Sequence, residues 1–509
     1  MPTNITKTTQ SRVFLTRSKG SPAVAPAFQG CLVLGGVSQG LGDREAIYCQ
    51  DPYVVGKFKT VGYTESAPDS VESSLSGRFM ATARSMLIEV ARAAAPVDIH
   101  VHVTQIGSNP SVFAGWQSKI IFEGARFSSL DIDELGSHDE DVAVDHSVDF
   151  TADNWYQLAP LTFSERGASI ALNEIFGTYV HYNGDLEKPP AERVVMFAST
   201  KATGGSASTP ANLLYSLDAG STWYDAGDVD VFQVGDDASG VVVVGEYVAV
   251  LDSILGNLGS GVMAYAPLTD FDGVNLPTWA SVATTDPNGD GTNYTVATVA
   301  GSLLYAAGTD FGVAKTSNVA AGFETLGGAA WEQTGETPLA IAAYDEDTVV
   351  VVGTNQTIMK CIDGENFELV DGPLAGSAPT ESITAVAVLS PRIFIVGTDG
   401  AIYYTTNGGT SWTAKSFPGT SNTGVIEDIK FATALVGFMS QTLSGAARLF
   451  MTTDGGYSWS LNPTSGVSTI SARIRSIGTQ RNEPNIVLFG GLAETGSDGA
   501  LIVGESPVS

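Results

Sequence analysis

The sequence is poor in cations, and this shortage narrows the classes of partner. Its 509 residues include 25 Lys and Arg against 55 Asp and Glu, which gives a formal net charge of −30. A surface this acidic repels nucleic acid and anionic membranes, so neither is predicted as a partner. Charged residues make up only 16% of the chain and hydrophobic residues 43%. This balance argues against wholesale disorder and predicts a compact protein with a substantial core.

Long apolar runs and metal-ligand spacings are also missing. No run reaches the length of a membrane-spanning helix, and the first residues lack the apolar core of a signal peptide, so we expect synthesis without Sec export. Cys31, Cys49 and Cys361 have no metal-ligand spacing. Cys31 and Cys49 either pair or stay reduced, and reduced thiols are favoured. The sequence has no Gly-rich phosphate loop, nucleophile elbow or Cys/His pair.

One pattern, S/T-x-D/N-x-G-x-S/T-W, occurs three times, each time after a strand-like run. The residue at its third position can accept hydrogen bonds from turn amides, and its glycine supplies the positive φ of a tight reversal. The pattern therefore predicts a hairpin turn whose tryptophan packs between sheets. Its fixed residues are Ser216, Asp218, Gly220 and Trp223, then Thr405, Asn407, Gly409 and Trp412, then Thr452, Asp454, Gly456 and Trp459.

This pattern resembles the Asp-box, or BNR, repeat of sialidase-type β-propellers. The resemblance implies that the box residues are structural and lie on the blade rim, away from the functional face. Turn aromatics recur at intervals of roughly 35 to 55 residues, the spacing of four-stranded blades. Degenerate boxes begin at Thr316 and at Cys361. We therefore expect seven blades, with six as the alternative, and a ring closed by an early strand such as 193–197.

The composition changes near residue 170, which predicts a mainly β chain of several segments. We expect an extended arm over 1–70, a small mixed α+β oligomerisation domain over 71–170, a linker over 171–190 and the Asp-box propeller over 191–509. Within the second segment, a Ser start and Pro96 predict a short helix over 85–94.

Catalysis is not predicted from the propeller sequence. A sialidase needs an arginine cluster for the substrate carboxylate, a tyrosine nucleophile with a glutamate, and an aspartate acid/base. A substrate triad draws on several blades, whereas four of the six arginines lie in the last two repeats: Arg448, Arg473, Arg475 and Arg481. This half also resembles the photosystem II assembly-factor type of propeller, which docks through an arginine patch. The shortage of cations argues against that use.

Two patterns are candidate metal sites, and no other cofactor is expected. Asp286, Asn288 and Asp290 match the opening of a calcium loop, but Ala297 replaces the acid expected at its twelfth position. A polar turn is the favoured alternative. His100 and His102 would share one face of a strand, without a third ligand fixed by spacing, so solvated or hydrogen-bonded histidines are favoured.

The strands from Val97 to Arg166, including the segment 150–158, resemble phage tail-tube and related virion proteins. In those proteins a small sheet domain polymerises and an appended domain is displayed outside. The resemblance implies a virion homo-oligomer built through the N-terminal domain, with acidic propellers outside that bind surface glycans or proteins weakly. A protein not encoded by a phage would be cytoplasmic. The alternatives are a stand-alone propeller binding module or assembly factor and, less favoured, a sialidase-type glycosidase.

Overall fold

A computed structural model describes the chain in ranges separated by gaps. In these ranges the regular structure consists of β-strands and four single-turn 3-10 helices, Leu268–Asp270, Thr309–Phe311, Val319–Ala321 and Thr354–Gln356. No helix within them is long and apolar enough to cross a membrane. The described residues are 9–17, 27–39, 46–50, 58–63, 71–80, 96–105, 116–132, 143–152, 154–158, 162–166, 173–183, 192–200, 212–228, 238–252, 262–283, 294–326, 335–374, 380–417, 424–452, 455–461, 471–480, 485–493 and 499–505.

The chain divides into two compact units, the first made of residues 1–110 and 114–160 and the second of 111–113 and 161–509. The predicted helix over 85–94 lies outside the described residues. The strands of the first unit are β1 (Thr9–Arg17), β2 (Ala27–Gln39), β3 (Ala46–Gln50), β4 (Phe58–Tyr63), β5 (Val71–Met80), β6 (Val97–Gln105), β7 (Trp116–Ile132), β8 (Ala143–Ala152) and β9 (Asn154–Leu158).

Six antiparallel strands of the first unit pair in a closed ring, in the order β1, β2, β5, β8, β7, β6 and back to β1. Strand β9 continues β8 along β7, because the pairs Arg126↔Thr151 and Glu123↔Asn154 keep one register. The rings of Phe122 and Phe150 meet edge to face at 5.1 Å. Strands β3 and β4 form a separate two-stranded hairpin. The described part of this unit is therefore a small β-barrel with a hairpin.

The second unit is a propeller of seven four-stranded antiparallel sheets, so the predicted seven blades are confirmed and six are excluded. Blade 1 comprises β11 (Ile175–Tyr182), β12 (Val194–Thr200), β13 (Asn212–Ser216) and β14 (Tyr224–Asp228); blade 2 comprises β15 (Ala238–Val244), β16 (Tyr247–Asp252), β17 (Val262–Pro267) and β18 (Ala280–Ala283); blade 3 comprises β19 (Tyr294–Ala300), β20 (Leu303–Gly308), β21 (Val313–Thr316) and β22 (Glu324–Leu326); blade 4 comprises β23 (Pro338–Ala343), β24 (Val349–Gly353), β25 (Ile358–Cys361) and β26 (Phe367–Val370).

The remaining blades follow the same antiparallel plan. Blade 5 comprises β27 (Ile383–Ser390), β28 (Ile393–Thr398), β29 (Ile402–Thr405) and β30 (Thr413–Lys415); blade 6 comprises β31 (Val425–Phe431), β32 (Gly437–Leu443), β33 (Ala446–Thr452) and β34 (Ser460–Leu461); blade 7 comprises β35 (Ser471–Thr479), β36 (Ile486–Ala493), β37 (Gly499–Glu505) and, as its outermost strand, β10 (Thr162–Arg166).

The ring closes through β10, which pairs with β37 from Thr162↔Glu505 to Arg166↔Leu501. The expectation that 193–197 closes the ring is wrong, because these residues fall in and just before β12, which is buried throughout and pairs on both sides within blade 1. A linker over 171–190 is also wrong, since β11 is the innermost strand of blade 1. The propeller begins near residue 161 and not at 191.

The propeller core lies between neighbouring sheets, so many strands are apolar on both faces. All five residues of β24 are buried, for example. Such a strand appears in the sequence as a continuous apolar run rather than an alternating one, because each blade is covered by the next.

Candidate functional site

The three S/T-x-D/N-x-G-x-S/T-W segments form turns, here called box turns, that join the third and fourth strands of blades 1, 5 and 6. In blade 1, Ser216 Oγ accepts a hydrogen bond from the Gly220 N–H at 2.8 Å and donates one to Asp218 Oδ1 at 2.8 Å. The Thr222 N–H completes the turn by donating to Asp218 Oδ1 at 2.7 Å. The short side chains therefore take up amides that a tight turn leaves unpaired.

Blade 5 repeats this geometry, and blade 6 shows part of it. Thr405 Oγ1 accepts from the Gly409 N–H at 3.0 Å and donates to Asn407 Oδ1 at 2.9 Å. In blade 6 the Gly456 N–H donates to Thr452 Oγ1 at 2.9 Å. Asp454 lies outside the described residues.

The box glycines and tryptophans contact the preceding blade. Each box glycine has a positive φ, and an added methyl group would overlap an aliphatic side chain of that blade. The indole N–H of Trp412 donates to the carbonyl of Asp371 at 3.0 Å. Those of Trp223 and Trp459 are buried without a partner among the described residues. The three glycine contacts are Gly220 with Val503, Gly409 with Val370 and Gly456 with Ile395.

The degenerate boxes of blades 3 and 4 keep an Asp or Asn that accepts turn amides, but these amides lie two or three residues further on instead of four. In blade 4, Asp363 Oδ1 accepts from Cys361 Sγ at 3.3 Å and from the Asn366 N–H at 2.8 Å. Hydrogen bonds from the side chain and backbone of Asn366 hold the pKa of the Asp363 carboxyl well below its usual value. In blade 3, Asn318 Oδ1 accepts from the Ala320 N–H at 3.1 Å. A side-chain oxygen of Asp or Asn therefore accepts turn amides in blades 1, 3, 4 and 5, even where the tryptophan is lost.

A ring of seven β-bulge residues surrounds the propeller channel, one on the innermost strand of each blade. At each bulge the pairing with the second strand skips one residue, which turns that side chain out of the regular pleat. All seven residues line a cavity of about 370 Å³. From blade 1 to blade 7 this bulge ring consists of Phe176, Ser239, Thr295, Leu339, Thr384, Glu427 and Arg475.

The three hydroxyl members of the bulge ring bond the backbone of the following blade. Ser239 Oγ donates to the Thr295 carbonyl at 3.4 Å, and Thr295 Oγ1 donates to the Pro338 carbonyl at 3.4 Å. Thr384 Oγ1 donates to the carbonyl of Ile426. These contacts connect blades 2 to 3, 3 to 4 and 5 to 6. The bulge ring thus links neighbouring blades at the channel, as the box turns do elsewhere.

Charged members of the bulge ring connect blades 6, 7 and 1. Both carboxylate oxygens of Glu427 accept from Arg473, Oε1 from Nε at 2.8 Å and Oε2 from Nη2 at 2.7 Å. Arg475 Nε donates to Oε1 of the buried Glu174. The Arg475 guanidinium also lies 4.4 Å from the centre of the Phe176 ring. Each guanidinium is therefore held in a defined orientation by groups of the neighbouring blade.

Asp428 is a partly buried carboxyl beside the bulge ring. Its Oδ1 accepts from the Ile429 N–H at 2.8 Å, and its Oδ2 accepts from the Ile477 N–H of blade 7 at 2.9 Å. The Lys430 ammonium lies 3.9 Å from Oδ1. Burial raises the pKa of the Asp428 carboxyl above its usual value. The group is satisfied by backbone donors and fastens blade 6 to blade 7.

Among the described residues, the arginines do not come together as a substrate triad. Arg473 and Arg475 lie together on β35, and each is paired with a carboxylate of the chain itself. Arg448 lies on β33, the third strand of its blade, and Arg481 is outside the described residues. Tyr179 lines the cavity, and burial raises its pKa to about 12, opposite to the shift that activates a tyrosine nucleophile. The prediction of a non-enzyme stays a prediction.

The metal-site candidates are not brought together by the described structure. Asp286, Asn288 and Asp290 lie outside the described residues. The backbone of His100 and His102 belongs to β6. Within the described ranges, no group of three His, Cys, Asp or Glu side chains is placed to hold a metal ion.

Neither a protein-family model nor a curated protein matches the chain. Among solved structures it is similar to YCF48 from Cyanidioschyzon merolae, with 12% identity and a TM-score of 0.49 over 68% of this chain and 99% of that one. YCF48 bound to D1 peptide gives 13% identity and 0.49 over 69% and 96%. The WD40 β-propeller domain of Doa1 gives 9% identity and 0.44 over 68% and 98%. The fold itself is established by the seven sheets.

Proposed function

We propose that this protein is a non-enzymatic assembly protein. Its N-terminal unit self-associates, and its propeller is presented as a binding module, as in a phage tail tube with a displayed domain. The observation that carries the non-enzymatic part of the proposal is the internal neutralisation of Arg473 and Arg475 by Glu427 and Glu174. A hydrolase for acidic glycosides needs free cations and an activated nucleophile, whereas these ion pairs stabilise contacts between blades.

Self-association of the first unit is supported by its strand pairing. The propeller ring is completed by β10, so it does not require a strand from residues 1–160. The outer edges of hairpin β3–β4 have no partner among the described strands. An unpaired edge offers backbone donors and acceptors to a strand of another copy. We therefore assign assembly to the first unit and recognition to the second.

The test compares the full chain with the fragment 161–509, which keeps β10. We expect rings or tubes of the full chain by negative-stain microscopy and a high mass by light scattering, and a monomeric fragment. A full chain that stays monomeric at high concentration would overturn the assembly role.

The alternative functions have separate tests on the same samples. A stand-alone binding module would be monomeric as the full chain and would keep its ligand affinity in the fragment 161–509. A glycosidase would turn over a fluorogenic sialoside, and activity lost in Arg473→Gln would reverse the non-enzymatic assignment.

A further inference from the structure

We infer that the propeller docks a basic segment of a partner protein, with apolar side chains among its cations, on the loop between the third and fourth strands of blade 2. The contact centres on Val274 and Leu276, which we call the apolar pair. This inference rests on the proposed role of the propeller as a binding module and names the chemistry of its partner. It follows from the exposure of the pair, the order of its loop and the sign of the charge around it.

The apolar pair is unusually exposed. Val274 is 83% exposed and Leu276 69%, more than any other large apolar side chain of the described residues. Leu276 also reaches blade 1, because an added Cβ at Gly227 of β14 would lie 3.3 Å from its Cδ2 atom. One exposed leucine is ordinary, but two apolar side chains that stand out together where two blades meet mark a surface for contact.

The loop that carries the apolar pair is held by hydrogen bonds within blade 2 and to blade 1. Asp272 Oδ1 accepts from the Val274 N–H at 2.8 Å and from the Asn275 N–H at 2.9 Å. The Gly273 N–H donates to the hydroxyl of Tyr215, in blade 1, at 2.9 Å. The apolar pair is therefore presented by a backbone that is already in place. A partner that covers it loses less free energy in ordering the contact.

The charge around the apolar pair is of one sign. Residues 202–314 contain 13 Asp and Glu and no Lys or Arg. Asp225 lies on β14, the strand that Leu276 reaches, Asp272 lies in the loop itself, and the Glu246 carbonyl accepts from the N–H at the start of this loop. All three carboxylates are exposed, and no ion pair of the described residues includes them. The apolar pair is thus surrounded by negative charge that the chain itself leaves uncompensated.

This charge decides which partner the apolar pair accepts. A second propeller would bring its own acidic surface against these carboxylates, and anionic membranes and nucleic acids are repelled in the same way. An uncharged apolar segment would take the carboxylates out of water without giving them a partner, which costs free energy. A segment that carries lysine or arginine between apolar residues covers the pair and also pairs with the carboxylates at its edge.

The experiment measures binding of labelled peptides to the full chain by fluorescence anisotropy. The probe is a short synthetic peptide in which lysine alternates with leucine. Two peptides of the same length serve as controls, one with serine in place of leucine and one with glutamate in place of lysine. We expect the lysine–leucine peptide to bind, the lysine–serine peptide to bind roughly fivefold more weakly or less, and the glutamate–leucine peptide not to bind. The affinity should also fall as the salt rises from about 50 to 300 mM.

Substitutions in two blades locate the bound peptide. Val274→Ser/Leu276→Ser should lower the affinity for the lysine–leucine peptide roughly fivefold or more. The matched control is Ile362→Ser/Leu369→Ser in blade 4, where the two side chains are 53% and 60% exposed. The carboxylate next to Leu369 is already paired with a lysine at 2.7 Å, so this control should bind the peptide like the natural chain.

A charge variant tests the other half of the recognition. Asp225→Asn/Glu246→Gln removes two negative charges, and the asparagine can still accept the hydrogen bond that the Gly227 N–H donates to Asp225 Oδ1. We expect weaker binding at low salt and a smaller effect of salt on the affinity. Because all the substituted side chains are exposed, the melting temperatures should stay within a few degrees of the natural chain.

The possible failures can be told apart. Absence of binding by the lysine–leucine peptide, equal binding of the lysine–serine peptide, unchanged binding in Val274→Ser/Leu276→Ser or an equal loss in the blade 4 control would overturn the inference. Rings or tubes that disappear in Val274→Ser/Leu276→Ser would show that a second copy covers the pair, and would overturn it too. A monomeric full chain that binds the peptide would contradict the assembly role alone, and rings or tubes without peptide binding would contradict this inference alone.

Discussion

At the scale of single residues, the box turns depend on positions where a side chain would meet another blade. Gly409 has a φ of +90° and faces Val370, whereas its neighbour Gly408 has a φ of +72° and faces mainly the flexible end of Lys360. Both glycines avoid the strain that a side chain would cause at a positive φ. Only Gly409 also leaves room for a side chain of the neighbouring blade.

Replacing these two glycines by alanine separates the two effects. Both changes place alanine in the left-handed region, at a cost of about 1–2 kcal/mol in the free energy of unfolding. Gly409→Ala adds an overlap with Val370, and overpacking costs about 1–3 kcal/mol more. In urea unfolding of the fragment 161–509, we expect the midpoint of Gly409→Ala to lie at a clearly lower urea concentration than that of Gly408→Ala. Equal midpoints would show that the blade contact carries no stability.

His181 gives the propeller a sensitivity to acid. Burial lowers the pKa of His181 below its usual 6.5, so in acid the unfolded chain takes up a proton before the folded chain does. The contribution of His181 to the free energy of unfolding is therefore fully present above pH 6.5 and is lost as the pH drops below that value. His181 is the sole histidine of the fragment 161–509. Melting curves from pH 7.5 to 5.5 should fall more steeply for this fragment than for its His181→Gln variant, and parallel curves would refute the assignment.

At the scale of elements, the turns could be predicted from sequence and the bulges could not. A box turn is determined within eight residues, so Thr405, Asn407 and Gly409 identify it locally. A bulge depends on how one strand pairs with the next, and nothing in the letters around Thr384 or Arg475 marks an extra residue. The second strands of blades 3, 4 and 5 carry a weak sequence signal of the bulges opposite them. Each of these strands is followed or ended by Gly-Thr-Asp/Asn, at 308–310, 353–355 and 397–399.

Thr384 tests whether bulge residues hold blades together. Thr384→Val keeps the shape but leaves the Ile426 carbonyl without this donor, and we expect a loss of about 1 kcal/mol in the free energy of unfolding. Thr384→Ser keeps the hydroxyl and serves as the matched control. Chemical denaturation of the fragment 161–509 measures both, and a valine variant as stable as the serine variant would contradict the role.

At the scale of the whole molecule, the propeller and its blade number follow from sequence periodicity, but its starting point does not. The five-residue strand β10 carries no box, and its partner β37 lies more than 300 positions further along the chain, between Thr162 and Glu505. A local pattern cannot reveal a pairing of that range. Domain boundaries predicted near residues 170 and 191 therefore divide the first blade and leave β10, the strand that closes the ring, outside the propeller.

Truncation shows the consequence of that closure. A fragment 161–509 keeps β10, whereas a fragment 167–509 leaves the outer edge of β37 unpaired. We expect the longer fragment to melt in one transition and stay monomeric, and the shorter one to melt at least several degrees lower and to aggregate through the open edge. Light scattering during a thermal ramp compares them, and identical behaviour would mean that β10 does not close the ring.

The pairing of β10 with β37 also sets the order of events during synthesis. Blades 1 to 6 consist of consecutive strands, so each can form as it leaves the ribosome. Strand β10 is made before all of them and has no partner until residues 499–505 emerge. Its pairing is the contact of longest range in the propeller and so the slowest to find by search. A growing chain therefore carries β10 unpaired through most of its translation. This is the interval in which chaperones or premature contacts between nascent copies have the most influence on yield.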